Sequence, residues 1–418
     1  MKKVLPLILA IFLPAALASC DGDYDFKPRK YRFQTMPAPG EKQQAVPPEG
    51  ALYITCAEFP EGYDYRTDPD YGSVEATLVL FADGSRITSL AAGPGSAFSI
   101  DPDMHRVRGG HLYTDGVDGN GTFFHRDGEK IFSYEGRESV RGFMVIDNKV
   151  HTLGQSRSGG GFSYRINGQL VFSRKEGYIL GDMSYPSPEG GALRTDGKDS
   201  EGMPKIYFSY GIPRQTSEGT KWEYHLFRNG EDEIVPQDGA TIEILDIVLR
   251  GGVMYRSEYR SGKSLNPVLV VGDSSYSLGS DMLKTYRPHL CRIFFDGDDV
   301  WLKGYYSNGS EQIYTLWNQR GIAGRLSSRQ VHDLWTENGV MYFLTRYDSK
   351  LLIISGRSET QMSEDFLEDW SLPFNNCAII SEGSLLMALT DNAGQLVFYS
   401  GGEVSKYPLN GYPTSIYY

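Results

Sequence analysis

Beyond residue 50 the apolar positions fall in short runs separated by turn residues, and none holds the 3.6-residue period of an amphipathic helix. One unit keeps recurring. It is a short apolar strand, a turn, a second strand, a polar loop, a third strand, a tight turn and a fourth strand. The tight turn before the last strand reads Asp83-Gly84, Asp127-Gly128, Asn167-Gly168, Asn229-Gly230, Gly272-Asp273, Asn318 to Gly321, Ser355-Gly356 and Gly401-Gly402. The first turn of the unit recurs as Gly109-Gly110, Asp147-Asn148, Gly251-Gly252, Asp298-Asp299, Asn338-Gly339 and Glu382-Gly383. Gly, Asn and Asp tolerate the positive φ that a two-residue hairpin turn demands, so these pairs set the strand register.

Four antiparallel strands per unit, at spacings of roughly forty-five residues, predict an all-β chain folded as a β-propeller of four-stranded blades. Eight blades fit best and seven is the alternative. The fourth unit is the least regular, because residues 175–204 carry extra length. The first unit, Leu52 to Leu90, supplies only three strands: Leu52–Ala57, Ala76–Phe81 and Ser85–Leu90. Its missing innermost strand is expected to be Thr414–Tyr418, which would pair the two chain ends and remove a free sheet edge. Tyr 28, Phe 20 and Gly 48 agree with sheets packed on one side and wet on the other.

The first fifty residues follow another logic. Lys2 and Lys3 precede an apolar run that closes on Leu17-Ala18-Ser19-Cys20, too short and wrongly flanked for a spanning helix. This resembles the bacterial lipobox, which implies a signal peptide over 1–19 and acylation at Cys20. Paired acyl chains hold a domain at a membrane where a single chain would not. Asp21, Asp23 and Asp25 follow at once and resemble the acidic export tag of surface lipoproteins in Bacteroidota. That resemblance implies an outer-membrane protein facing the cell exterior; in another bacterial group an aspartate here would instead signal inner-membrane retention. Residues 20–50 hold Pro28, Pro37, Pro39, Pro47 and Pro48 with no strand or helix period, and read as a tether. A thirty-residue coil reaches roughly 30 Å. The globular domain is then 51–418.

Without residues 1–19 the chain carries 39 Lys and Arg against 53 Asp and Glu, a net charge of −14. Such a surface repels nucleic acid and anionic lipid, so neither is expected as a ligand. Cys56, Cys291 and Cys377 lie in no zinc-type spacing and read as buried free thiols.

In a propeller the loops between second and third strands share one face with the crossings between blades. Here those loops are the long and varied ones, so this face is expected to carry the ligand. Its aromatic and guanidinium groups are Tyr63, Tyr65 and Arg66; Arg256, Tyr259 and Arg260; Tyr286, Arg287 and His289; Tyr305 and Tyr306; and Trp370. Flat rings with polar tips and forked donors suit sugars, acidic glycans or peptides.

Motifs for chemistry are scarce. No HExxH, GxSxG, P-loop or dinucleotide fingerprint occurs, and no cofactor or metal is expected. Asp115 to Gly121 lacks the ligand spacing of a calcium loop and reads as a turn. His332-Asp333 on a predicted innermost strand is an acid–base pair placed to face the channel, though a lone His there is more often packing. The leading expectation is a non-catalytic surface lipoprotein that binds a glycan or peptide, or serves an outer-membrane uptake complex as an accessory subunit. The alternatives are a glycan hydrolase or lyase and an envelope scaffold.

Overall fold

The structure, a computed structural model, describes residues 51–417 apart from internal stretches, the longest being 182–190, 261–265, 279–286 and 362–376. Over most of 325–385 it describes the backbone alone. The lipobox, the acidic tag and the tether lie outside the described residues.

The chain folds into consecutive antiparallel sheets. Sheet II comprises His105–Arg108, His111–Val117, Thr122–Arg126 and Glu129–Tyr134; sheet III comprises Glu138–Ile146, Lys149–Ser156, Phe162–Ile166 and Gln169–Arg174. Sheet V runs through Thr241–Arg250, Val253–Arg260, Asn266–Val271 and Ser274–Ser277. Sheet VI runs through Arg287–Asp296, Asp299–Ser307, Gln312–Asn318 and Gly321–Ser327, and sheet VII spans Gln330–Glu337 to Ser358–Gln361. Each is a four-stranded meander in chain order. The turn pairs read from sequence take the conformation their chemistry allows. Asp83, Asp127, Asn167 and Asn229 have φ of 45°, 52°, 48° and 50°, each followed by a glycine with positive φ.

Sheet I joins the chain ends. Its order is Ala378–Ser381, Ser384–Thr390, Gln395–Ser400, Glu403–Tyr417, Tyr53–Glu58, Ala76–Ala82 and Ser85–Ala92. The long strand Glu403–Tyr417 pairs first with Gln395–Ser400 and then, from Gly411 on, with Tyr53–Glu58, setting Tyr53 opposite Tyr417. The C-terminal segment thus lies beside the first strand.

Successive sheets pack face to face on separate apolar cores. Tyr113 and Phe124 of sheet II meet Phe143 and Val150 of sheet III. Leu153, Phe162 and Tyr164 of sheet III meet Phe208, Tyr210 and Phe227 of sheet IV, and comparable clusters join I to II, IV to V, V to VI and VI to VII. Within sheet I, Cys56, Val79 and Phe81 pack on Leu386, Ala388 and Phe398 of its other arm. Meanders stacked in this order, each burying both faces, are the blades of a β-propeller. Cys56 and Cys377 are buried free thiols, and burial pushes both thiols up from their ordinary range.

The first strands of sheets III, V, VI and VII share a device the sequence did not announce. Their register shifts between Val140 and Gly142, between Ile244 and Asp246, between His289 and Arg292, and between Val331 and Asp333. Extra residues such as Arg141, Leu245 and His332 therefore bulge out of the ladder, and a bulge bends a strand and re-aims its side chains.

Sheet IV explains the extra length at 175–204. Its innermost strand is broken into Tyr178–Ile179 and Arg194–Lys198, both paired to Pro204–Thr216, which continues to Gly219–Arg228 and Glu231–Ile234. The break is held by charge. Arg194 grips Asp246 of sheet V through Nη1 at 2.7 Å and Nη2 at 3.2 Å, the Ile293 amide of sheet VI donates to the same carboxylate at 3.0 Å, and Arg292 donates to the Gly181 carbonyl at 2.9 Å. Gly181 has a φ of +75°, and a Cβ there would fall 2.6 Å from Asp246 Oδ1, so only glycine lets the strand leave here.

Candidate functional site

Several of the residues expected to bind a ligand lie in paired strands or in the core. Arg256, Tyr259 and Arg260 lie not on a loop but within the strand Val253–Arg260, paired on both sides. Alternation puts Arg256, Glu258 and Arg260 on one face. Arg260 donates to Glu258 through Nε at 2.7 Å and reaches Asp238 at 3.1 Å, while Arg256 donates to the Pro236 carbonyl. Glu258 is 1% exposed and Tyr259 is buried. The polar stretch read as loop is an ion-paired seam.

Tyr65 is also buried; it stacks on Phe59 at 5.0 Å and donates to the Gly411 carbonyl at 2.9 Å, locking the closing strand. Tyr63 donates to Asp68 at 2.6 Å, and Arg66 pairs with Asp64 at 2.8 Å on the exposed part of the same loop. Tyr305 and Tyr306 belong to the strand Asp299–Ser307 and not to a loop, with the Tyr305 ring 5.6 Å from that of Tyr314. Arg287 and His289 open the strand Arg287–Asp296, where only their backbone is described. Tyr286 and Trp370, like Cys20, Asp21, Asp23 and Asp25, lie outside the described residues. Among the described residues, the expected groups on Tyr63–Arg66, Arg256–Arg260 and Tyr305 lie on separate sheets and are not gathered into one cluster.

A different cluster stands at the mouth of sheets IV and V. The hairpin Pro204–Thr216 and Gly219–Arg228 is longer than its counterparts, with paired strand running out to Thr216 and Gly219. Tyr178, Gly211 and Tyr224 stand side by side across three strands. A Cβ at Gly211 would come within 3.1 Å of the Tyr178 ring and 3.2 Å of the Tyr224 ring, so its absence makes room for both. Trp222 meets Tyr178 edge to face, with centroids 4.7 Å apart and planes at 84°. The Tyr178 hydroxyl donates to that of Tyr224 at 3.4 Å. Trp222 and Tyr178 are only partly covered by the core beneath.

Sheet V contributes the polar component. A bulge between Thr241 and Glu243 turns Ile242 outward, 47% exposed. Burial raises the Glu243 carboxyl above its ordinary range, and its charge helps push Tyr178 and Tyr224 upward. Among the described residues Glu243 has neither an ion-pair partner nor a hydrogen-bond donor.

The other face of the hairpin makes it rigid. His225 stacks on Tyr210 at 4.9 Å and 9°, with Nε2 2.9 Å from Glu223 and Nδ1 3.2 Å from Asp232. Arg214 clamps Glu223 at 2.6 Å, and Tyr210 donates to Asp232 at 2.7 Å. No group of three or more potential metal ligands occurs among the described residues. Sequence reasoning passed over Trp222, Tyr178 and Glu243 because it sought ligand groups on loops; the alternation Trp222-Glu223-Tyr224-His225 was the available signal for a strand.

No family model matches the chain, and no curated protein matches it. Among solved structures, it is similar to a dihydro-heme d1 dehydrogenase, NirN, at 13% identity and a TM-score of 0.44 over 91% of this chain and 77% of that one. AztD from Citrobacter koseri gives 11% identity and a TM-score of 0.44 over 88% and 97% of the two chains. The β-propeller domain of the Trilobed protease from Pyrococcus furiosus gives 11% and 0.42 over 76% and 93%.

Proposed function

We propose that this chain is a lipid-anchored, outward-facing surface protein of a Bacteroidota-type outer membrane, acting as a non-catalytic receptor for a glycan or peptide. Its framework is an eight-bladed propeller: the seven-stranded sheet divides where Glu403–Tyr417 changes partner, giving two blades beside the six other sheets. In this reading the ring closes between sheet VII and the arm that begins at Ala378. Cys20 carries the acyl chains, Asp21, Asp23 and Asp25 direct export, and the tether holds the propeller clear of lipid. Among the described residues no helix is long and apolar enough to cross a membrane.

The observation that carries the binding reading is the partly exposed edge-to-face pair of Tyr178 and Trp222 on the elongated hairpin. Rings with polar tips on a rigid hairpin are a ready contact surface for a saccharide or peptide. An outer-membrane transporter is the natural recipient of a captured ligand. The test is capture from a panel of glycans and peptides by the mature chain and by Trp222→Ala. Capture lost in the variant supports the reading, whereas shortened polysaccharide products would make the protein an enzyme.

A further inference from the structure

Resting on that reading of the mouth, we propose that the ligand is a neutral saccharide, with one sugar ring against Trp222 and the next hydrogen-bonded to Gln215 and Thr220. The ladder of the elongated hairpin sorts its side chains by face. Gly211 stands opposite Tyr224, Pro213 opposite Trp222 and Gln215 opposite Thr220. Alternation puts these three pairs on one face, with Tyr178 beside Gly211. Arg214, Lys221 and Glu223 fall on the other face, where Arg214 and Glu223 pair at 2.6 Å. The hairpin therefore puts no charged side chain on the side that carries its aromatic rings. A uronate or a charged peptide side chain finds no counter-ion there, and the net charge of −14 on the mature chain further repels the uronate.

Along this face exposure and polarity rise together. Gly211 and Tyr224 are buried, Pro213 and Trp222 are half-buried, and Gln215 and Thr220 are exposed. Successive rows lie roughly 7 Å apart, the scale of one sugar ring with its linkage. The half-buried row supplies a flat apolar surface for the C–H face of a ring. In the exposed row Gln215 Nε2 donates to Thr220 Oγ1 at 3.0 Å, and the amide keeps a second N–H and acceptor lone pairs. Sugar hydroxyls donate and accept, and so use both. A proline-rich segment, with carbonyl acceptors and few donors, would use only half of that capacity.

The experiment follows the Trp222 indole N–H signal of the mature chain, identified by its loss in Trp222→Phe. The chain is titrated with cellobiose, maltose, lactose and mannobiose, and with glucuronate and an acetylated triproline amide beside them. The expected result is a saturable shift with at least one disaccharide, with the same midpoint at about 0.05 M and about 0.5 M salt. Combined Gln215→Ala and Thr220→Ala should weaken it about fivefold, while Arg214→Ala on the opposite face leaves it unchanged. The altered positions are exposed, and an unchanged melting temperature confirms the fold of each variant. A shift with glucuronate or triproline and none with the disaccharides overturns the neutral-saccharide assignment and leaves the mouth as the ligand site. A salt-dependent midpoint, or full affinity in the Gln215 and Thr220 variant, overturns it as well. If no compound moves Trp222, the receptor reading fails together with this one.

Discussion

Thr414 and His105, 309 positions apart in the chain, meet through Oγ1 and Nε2 at 2.9 Å in the buried seam between sheets I and II. Thr414 donates its proton to Thr55 at 2.8 Å, and Thr55 donates to the Ser415 carbonyl at 3.4 Å. Thr55 Oγ1 also lies 3.1 Å from Nε2, so both hydroxyls crowd this ring nitrogen. Of the groups acting on this fully buried ring, the Asp101 backbone alone favours the protonated form, and burial outweighs it.

Burial, aided by the nearby Arg106 charge, pushes His105 down to about 3. The unfolded chain takes up that proton near pH 6.5. Stability from this group is therefore complete above about pH 6.5 and is lost as pH falls toward 3, at about 1.4 kcal/mol per pH unit. Urea unfolding at pH 7 and pH 5 should show a loss of about 2 kcal/mol from this source, reduced in His105→Gln. An identical pH slope in the variant would remove His105 from the account.

Deleting Thr414–Tyr418 takes away the partners of Tyr53, Ile54 and Thr55 and two large buried side chains, Ile416 and Tyr417. Two such side chains are worth about 3–6 kcal/mol. The shortened chain should melt far earlier or aggregate through its opened edge. Normal expression and melting would refute the closing role given to these residues.

Arg260→Ala should unfold the protein more readily, by about 3 kcal/mol, because it leaves Glu258 buried with only Arg256 at 4.0 Å. Arg260→Ala combined with Glu258→Leu should recover much of the loss, since removing both charges leaves nothing uncompensated. Denaturant midpoints decide it; a single variant as stable as the parent would show the seam to be solvated.

Cys20→Ala should abolish incorporation of a labelled fatty acid and release the protein from the membrane. Replacing Asp21, Asp23 and Asp25 by Ala should leave acylation intact and lower exposure to external protease. Label retained by the Cys20→Ala variant would contradict the anchor.

The repeating framework was legible because its turns need unusual backbone angles. Asp83, Asp127, Asn167 and Asn229 each stand before a glycine, and little else satisfies two successive positive φ values. The pairing of the C-terminal segment with the first strand was legible as an apolar segment left over beside a unit one strand short. The binding residues were not, because hydropathy cannot see charges neutralising one another. Arg256, Glu258 and Arg260 look like a solvated loop until their pairing is known. Gly211 and Pro213 likewise read as breakers. Pro213 is tolerated because the strand Tyr178–Ile179 ends opposite Tyr210 and Gly211, so that edge is free of a ladder partner at Pro213.

The account stands most directly on where a ligand touches the protein. Hydrogen exchange of the mature chain, with and without the tightest binder from the glycan and peptide panel, measures this. Slowed exchange is predicted in Gly219–Arg228 and in the first half of Thr241–Arg250, the strands that carry Trp222 and Glu243. Slowing confined to the opposite turns, Gly109-Gly110, Asp147-Asn148 and Gly251-Gly252, would contradict it.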